Sequence, residues 1–279
     1  MATLEIFDVQ HGQCALLSSD AGAHMLIDCG SNGSTGWRPS SELQWRGVGF
    51  LDQLMITNYD EDHACDLVGV RRAASIGILT RNPTVCGADL YRLKSSGGMG
   101  AGIEALAGMT EGFSAAVTSW PDFDGMTYRL FYNSYPEDFD DENNLSLVAV
   151  MRWPGANGLP GFSIVFAGDM EVPGWRRLLQ RRDFVAEMSR GATVFVASHH
   201  GRRNGYCRDL FDLTGLSPEA VVISDGGIQY ATQETIADYR RHARGFWLHG
   251  KERRVLTTRR DGTITFTIAA DQPTQVDVD

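Results

Sequence analysis

Three apolar stretches of this chain stop at residues that bind metals. Leu54–Leu67 reads LMITNYDEDHACDL, an apolar strand ending in a loop that carries Asp60, Asp62 and His63 within four residues. Phe162–Asp169 (FSIVFAGD) ends in a carboxylate after a glycine, and Val194–Gly201 (VFVASHHG) ends in His199 and His200. Carboxylates and imidazoles this close repel or compete for hydrogen bonds unless a cation, a basic side chain or water satisfies them. A divalent metal does so in one step. Taken alone, the first stretch reads equally well as an Asp-rich turn capping a helix that starts near Ala64, with His63 solvated. The other two shift the balance, since a His pair costs desolvation if buried and gains nothing where it is exposed. Strand ends that converge on ligands require a fold whose strands finish on a common rim.

Apolar runs bounded by Gly, Asp and Asn predict strands near 3–8, 13–18, 24–28, 53–57, 127–132, 145–152, 162–167, 193–198, 220–224, 246–249, 253–258 and 263–268. Pro173–Met188 has helical spacing with a proline in its first turn, and Thr232–Arg244 opens with a capping hydroxyl and Glu234. Ser95–Gly102 (SSGGMGAG) is too rich in glycine for a fixed helix or strand and reads as a mobile flap, with Glu137–Asn144 a second surface excursion. Neither an internal repeat nor a long linker divides the chain. With 279 residues, 43% of them apolar, one domain over 1–279 is expected, built from two sheets flanked by helices.

The longest apolar runs fall far short of the roughly 20 residues that span a bilayer, and no basic start leads into an apolar stretch. The expectation is a cytoplasmic protein without membrane contact. Five cysteines without a CxxC pair speak against a disulfide framework or a thiolate zinc site. A net charge of -10 argues against a broad basic surface for gripping nucleic acid. The arginines at 176, 177, 181 and 182, and at 240, 241 and 244, read as solvated helix faces. His24, His242 and His249 carry no functional signal; His11 stands apart because its loop follows the first strand.

The ordered segments IFDVQHGQCALL, MLIDCG, LMITNYDEDH, ENNLSLV, VFAGDME, SHHG and TRRDGTITFT are similar to the metallo-hydrolase domain of ComEC-type DNA-uptake proteins and their soluble relatives. The resemblance implies an α/β fold, the αββα four-layer metallo-β-lactamase sandwich, with its metal site at one edge of the two sheets. That family's loop reads roughly THxDxDH. Here Asn58 stands at the leading His, whereas Asp60, Asp62 and His63 match, as do Asp28 and Gly30. A second departure is GIQYATQ, where Ala231, Thr232 and Gln233 replace a His–Pro, and Thr232 suits a helix cap better than a metal. His11 replaces a more usual glycine, and Cys14 an acidic or small residue. The remaining metal set is Asp60, Asp62, His63, Asp169, His199 and His200, with one of the two adjacent histidines facing the ion. So oxygen-rich a set suits manganese or magnesium as well as zinc, as one ion or a weak pair, with Asn58 a weak amide donor at most.

The function this implies is a metal-dependent hydrolase, a phosphodiesterase or nuclease that acts on a nucleotide or nucleic acid through a metal-activated water. Asp60, Asp62, His199 and His200 are the catalytic candidates, Asp60 as a ligand or proton acceptor. Asn58, Arg202, Arg203 and His11 are the candidates for holding substrate, the arginines by meeting phosphate. The acidic balance favours a small nucleotide or a short single strand. The alternative is a degenerate pseudoenzyme, a binding or regulatory module working beside a protein partner, suggested by Asn58 and Thr232 where ligands are expected. The lack of an export signal speaks against a β-lactamase proper.

Overall fold

A computed structural model describes residues 1–95, 97–226 and 235–279. Two sheets face each other. The first contains β1 (Ala2–Ile6), β2 (Ala15–Ser19), β3 (His24–Ile27), β4 (Phe50–Met55) and β5 (Ser75–Thr80) side by side in chain order. The second runs β6 (Thr127–Phe131), β7 (Val148–Arg152), β8 (Ser163–Phe166), β9 (Val194–Val196) and β10 (Ala220–Ile223), also in chain order. β11 (Phe246–Leu248) and β12 (Lys251–Arg253) make a separate hairpin, β13 (Val255–Thr257) closes the second sheet beside β10, and β14 (Ile264–Ile268) and β15 (Gln275–Val278) return to the first sheet beside β1.

The strand patterns follow from these positions. β1 and β14 pair antiparallel, Ala2 opposite Ile268 and Ile6 opposite Ile264, and alternate buried with half-buried residues. β8, β9 and β10 lie parallel between covered faces and are apolar without alternation apart from Ser163. Parallel strands also share a direction. The carboxyl ends of β8, β9 and β10, like those of β3, β4 and β5, therefore come out on one edge of their sheet.

Between the sheets, Leu4, Ile6, Met25, Ile27 and Met55 meet Met151, Ile164, Phe166, Val194, Val196 and Val222. On the first sheet's outer face, Leu16, Leu26 and Leu54 pack against helices α1 (Pro39–Arg46), α2 (Glu61–Ala64), α3 (Leu67–Ala73), α4 (Gly87–Leu93) and α5 (Ala101–Gly112). On the second, Val150, Val165, Phe195 and Val221 pack against α6 (Val172–Leu178), α7 (Arg182–Met188), α8 (Arg208–Thr214) and α9 (Ile236–His242). Each fully buried side chain of this size contributes about 1.5–3 kcal/mol. A short turn, α10 (Thr258–Asp261), follows β13.

Several expectations change. The helix predicted over Pro173–Met188 is two. Gln180 and Arg181 donate their N–H groups three residues back, to Arg177 and Leu178, and Arg181 takes an extended backbone, φ −91° and ψ 121°, between the two helices. The strand expected at 253–258 divides into the end of β12, β13 and the start of α10. The glycine-rich stretch ends in a helix. Gly102, in the first turn of α5, lies so close to α2 that a Cβ would stand 2.1 Å from the Ala64 carbonyl oxygen. The glycines thus allow two helices to touch. Glu137–Asn144 also folds back: Asp138 accepts the Ser134 N–H at 2.9 Å, and the Asn144 side-chain oxygen accepts the Gly174 N–H at 2.7 Å. Ser96 and the GIQYATQ segment with Thr232 lie outside the described residues. All five cysteines are free thiols, and among the described residues no helix is long and apolar enough to cross a membrane.

Candidate metal centre

Asp62 and His63 sit in α2, just past the end of β4. Asp169 follows β8, and His200 lies in a turn after β9. One donor atom from each of Asp62, His63, Asp169 and His200 falls within 4.8 Å of the other three. His63 Nε2 is 3.0 Å from Asp169 Oδ1; His200 Nε2 is 3.2 Å from Asp62 and 3.4 Å from Asp169.

The protein fixes which nitrogen each ring presents. His200 Nδ1 lies 3.0 Å from the Ser224 carbonyl oxygen, which only accepts, so this nitrogen carries a proton. His200 Nε2 is left facing the carboxylates, buried and without an aligned hydrogen bond. His63 Nδ1 lies 2.9 Å from the fully buried Asp28, which also accepts the Thr57 N–H at 2.7 Å and its hydroxyl proton. Carboxylate and carbonyl partners of this kind orient imidazoles toward a metal. Asp28 thus belongs to the site although it touches only a ligand.

The backbone is bent to make the site. His199 and His200 are consecutive non-glycine residues in the left-handed region, φ 51° and 52°. Each costs roughly 1–2 kcal/mol, and strain of this kind concentrates where a side chain must be aimed. A close contact steadies the other side: a Cβ on Gly30 would lie 2.5 Å from the Asp62 carbonyl oxygen and 2.9 Å from that of Gln13. Only glycine lets this loop press against Asp62.

Burial opposes charge on both imidazoles, but Asp169 and Asp28 hold the His63 pKa well above its ordinary value, and Asp169 and Asp62 push that of His200 up to about 10. Burial likewise opposes ionised Asp169 and Asp62, yet His200 and His63 hold Asp169 well below the carboxylate range and Asp62 lower than usual. Two carboxylates thus demand two positive charges, which the rings supply as protons. A divalent cation matches that demand, and the donor set of two nitrogens and two carboxylates fits zinc or manganese.

The other candidates lie around this cluster. His199 Nε2 is 3.8 Å from Asp169 but takes a hydrogen bond from Arg202 at 3.0 Å, so its lone pair is engaged outside the cluster. The His11 ring stands 6.4 Å from that of His200 with both nitrogens buried and lacking a hydrogen-bond partner. Burial, His200 and Arg202 depress its pKa. Asp60 is turned to Lys94. Asn58 is fully buried: its amide donates to Ser146 Oγ at 3.0 Å, and its oxygen accepts the Asp60 N–H at 2.7 Å. It ties loops together instead of facing the donors. Arg203 is paired with Asp238 at 2.7 Å. Asp28 was within reach of sequence reasoning, as a carboxylate ending an apolar strand. Lys94 and Ser224 carry no such signal.

No protein-family model and no curated protein sequence matches this chain. Solved structures do. A mutant of CmlA beta-hydroxylase superposes on 95% of this chain and 53% of its own, with TM-score 0.52 and 16% identity. This chain therefore spans about half of that protein. The fold is that of the metallo-β-lactamases. Other structures with the metallo-β-lactamase fold align more loosely. A diphosphatase of the PhnP family covers 100% of both chains at TM-score 0.44 and 10% identity, and Rm3 metallo-beta-lactamase covers 69% of this chain and 74% of its own at TM-score 0.37 and 13% identity.

Proposed function

We propose that this protein is a metal-dependent hydrolase of phosphodiesters, with a nucleotide or short single-stranded nucleic acid as substrate, related to the metallo-hydrolase domains of ComEC-type proteins and acting in the cytosol. The observation that carries the metal-dependent part is the convergence of Asp62, His63, Asp169 and His200, with each ring's second nitrogen tied to Asp28 or the Ser224 carbonyl. These four side chains would hold the ion, which when bound polarises a phosphoryl oxygen and lowers the pKa of water. Asp62 is the most exposed of the four. His11, whose ring nitrogens have no hydrogen-bond partner, would take a proton near the cluster. Arg202, held by His199, adds positive charge for a phosphate at the rim.

A second reading is also supported by an observation: Asn58 and Asp60 are both engaged in internal contacts, which suits a binding or regulatory module that keeps an ion without turnover. One experiment separates them. Freshly purified protein is analysed for metals, then assayed with manganese or zinc on a chromogenic phosphodiester and on single-stranded DNA, beside Asp169→Asn. A bound metal with hydrolysis abolished in the variant supports the enzyme. Bound metal without hydrolysis supports the module, and no metal under any condition refutes both.

A further inference from the structure

Lys94 lies half-buried beside the metal cluster, although nothing in its sequence surroundings marks it out. It directly follows α4, and its side chain is only 10% exposed. Its ammonium contacts Asp60 and lies 2.9 Å from Glu142. The backbones of both residues connect to the cluster. Asp60 lies two residues before Asp62, and its N–H is held by Asn58. Asn58 in turn donates to the Glu142 carbonyl at 3.3 Å and to Ser146 Oγ, which accepts the Asp169 N–H at 3.0 Å. An ammonium leaves water at a heavy desolvation cost, offset only where anions receive it. Two carboxylates at the edge of a metal site would otherwise themselves call for a cation.

We propose that the Lys94 ammonium occupies the place of a second divalent cation. It pairs with both Asp60 and Glu142, keeps Asp60 out of the ligand cluster and limits the centre to one ion. The proposal rests on the reading of Asp62, His63, Asp169 and His200 as a metal centre. Lysine suits the role, since it brings one fixed positive charge and cannot coordinate while protonated.

The test is metal stoichiometry in the intact 279-residue chain. Metal-free wild type, Lys94→Met and Lys94→Arg are equilibrated with manganese or zinc alone, desalted and analysed by elemental analysis, with titration calorimetry for affinity. Wild type and Lys94→Arg are expected to hold about one ion per chain and Lys94→Met about two, the second more weakly. Adding Asp60→Asn to Lys94→Met should return the count to one. A folded Lys94→Met that stays at one ion, or a second ion that survives the double substitution, overturns this proposal alone. Wild type with no ion overturns the metal centre and this inference with it. Should Lys94→Met not fold, Lys94→Gln replaces it with the same expected count.

Discussion

Replacing Asp28 by asparagine changes one oxygen to an NH2 group in a fully buried site. Today that carboxylate accepts three hydrogen bonds, from the Thr57 N–H, the Thr57 hydroxyl and His63 Nδ1. The asparagine oxygen can keep the Thr57 N–H, and the threonine hydroxyl can rotate to accept. His63 has no such option. Its Nδ1–H would meet another donor, so the ring must either lose the bond or move its proton to Nε2, the nitrogen that faces Asp169. A charge-assisted hydrogen bond is worth about 1.5–3 kcal/mol, and loss of such a partner behind a metal-bound imidazole typically costs 10–100-fold in affinity. We expect Asp28→Asn to bind zinc or manganese about 10–100-fold more weakly, measured by competition with a chromophoric chelator. Far-ultraviolet circular dichroism of the metal-free variant should stay native. An affinity within twofold of wild type would refute the claim that His63 coordinates through Nε2 with Asp28 behind it.

Gly30→Ala should lower stability by about 1–3 kcal/mol and weaken metal binding as well, because the new methyl group meets the Asp62 carbonyl oxygen; a urea midpoint and metal affinity both equal to wild type would show that the loop relaxes freely. The metal-free protein should have a two-sided pH dependence. His63 and His200 have raised folded pKa values, so their contribution is complete below the unfolded histidine value and fades as pH rises through the folded values, which for His200 is about 10. Asp169 and Asp62 are depressed, so theirs is complete above the unfolded carboxylate value and fades as pH falls through their folded values. Thermal melts in chelator should therefore peak in mildly acidic buffer, and a melting temperature that climbs steadily from pH 6 to pH 9 would contradict the assigned protonation.

The strand ends carried most of the readable signal. Asp62, His63, Asp169 and His200 were visible because polar ligands at the close of apolar runs have no packing explanation. Helices were harder to read. α5 begins where glycines at 100 and 102 weaken helical propensity, and tertiary contact with Glu61, whose carboxylate accepts the Ile103 N–H at 2.9 Å, supplies what the local sequence lacks. Which member of the His199–His200 pair faces the cluster depends on two left-handed backbone residues, and no periodicity encodes that. Asp60 shared the loop and the chemistry of Asp62, yet a lysine 34 residues away takes it, a contact that spacing cannot reveal.

The pairing of β1 with β14 has a consequence for synthesis. Ala2 and Ile268 are partners, so β1 offers one bare hydrogen-bonding edge and its apolar face until β14 has been made. At about 5–20 residues per second, that edge waits on the order of 10–50 s on the ribosome. During this interval β1 is a template for pairing with any other extended chain. Asp62 and His63 emerge long before Asp169 and His200, so ion capture comes late, after both halves of the donor set have left the exit tunnel. Rare codons placed before residue 264 would lengthen the exposed interval and lower soluble yield.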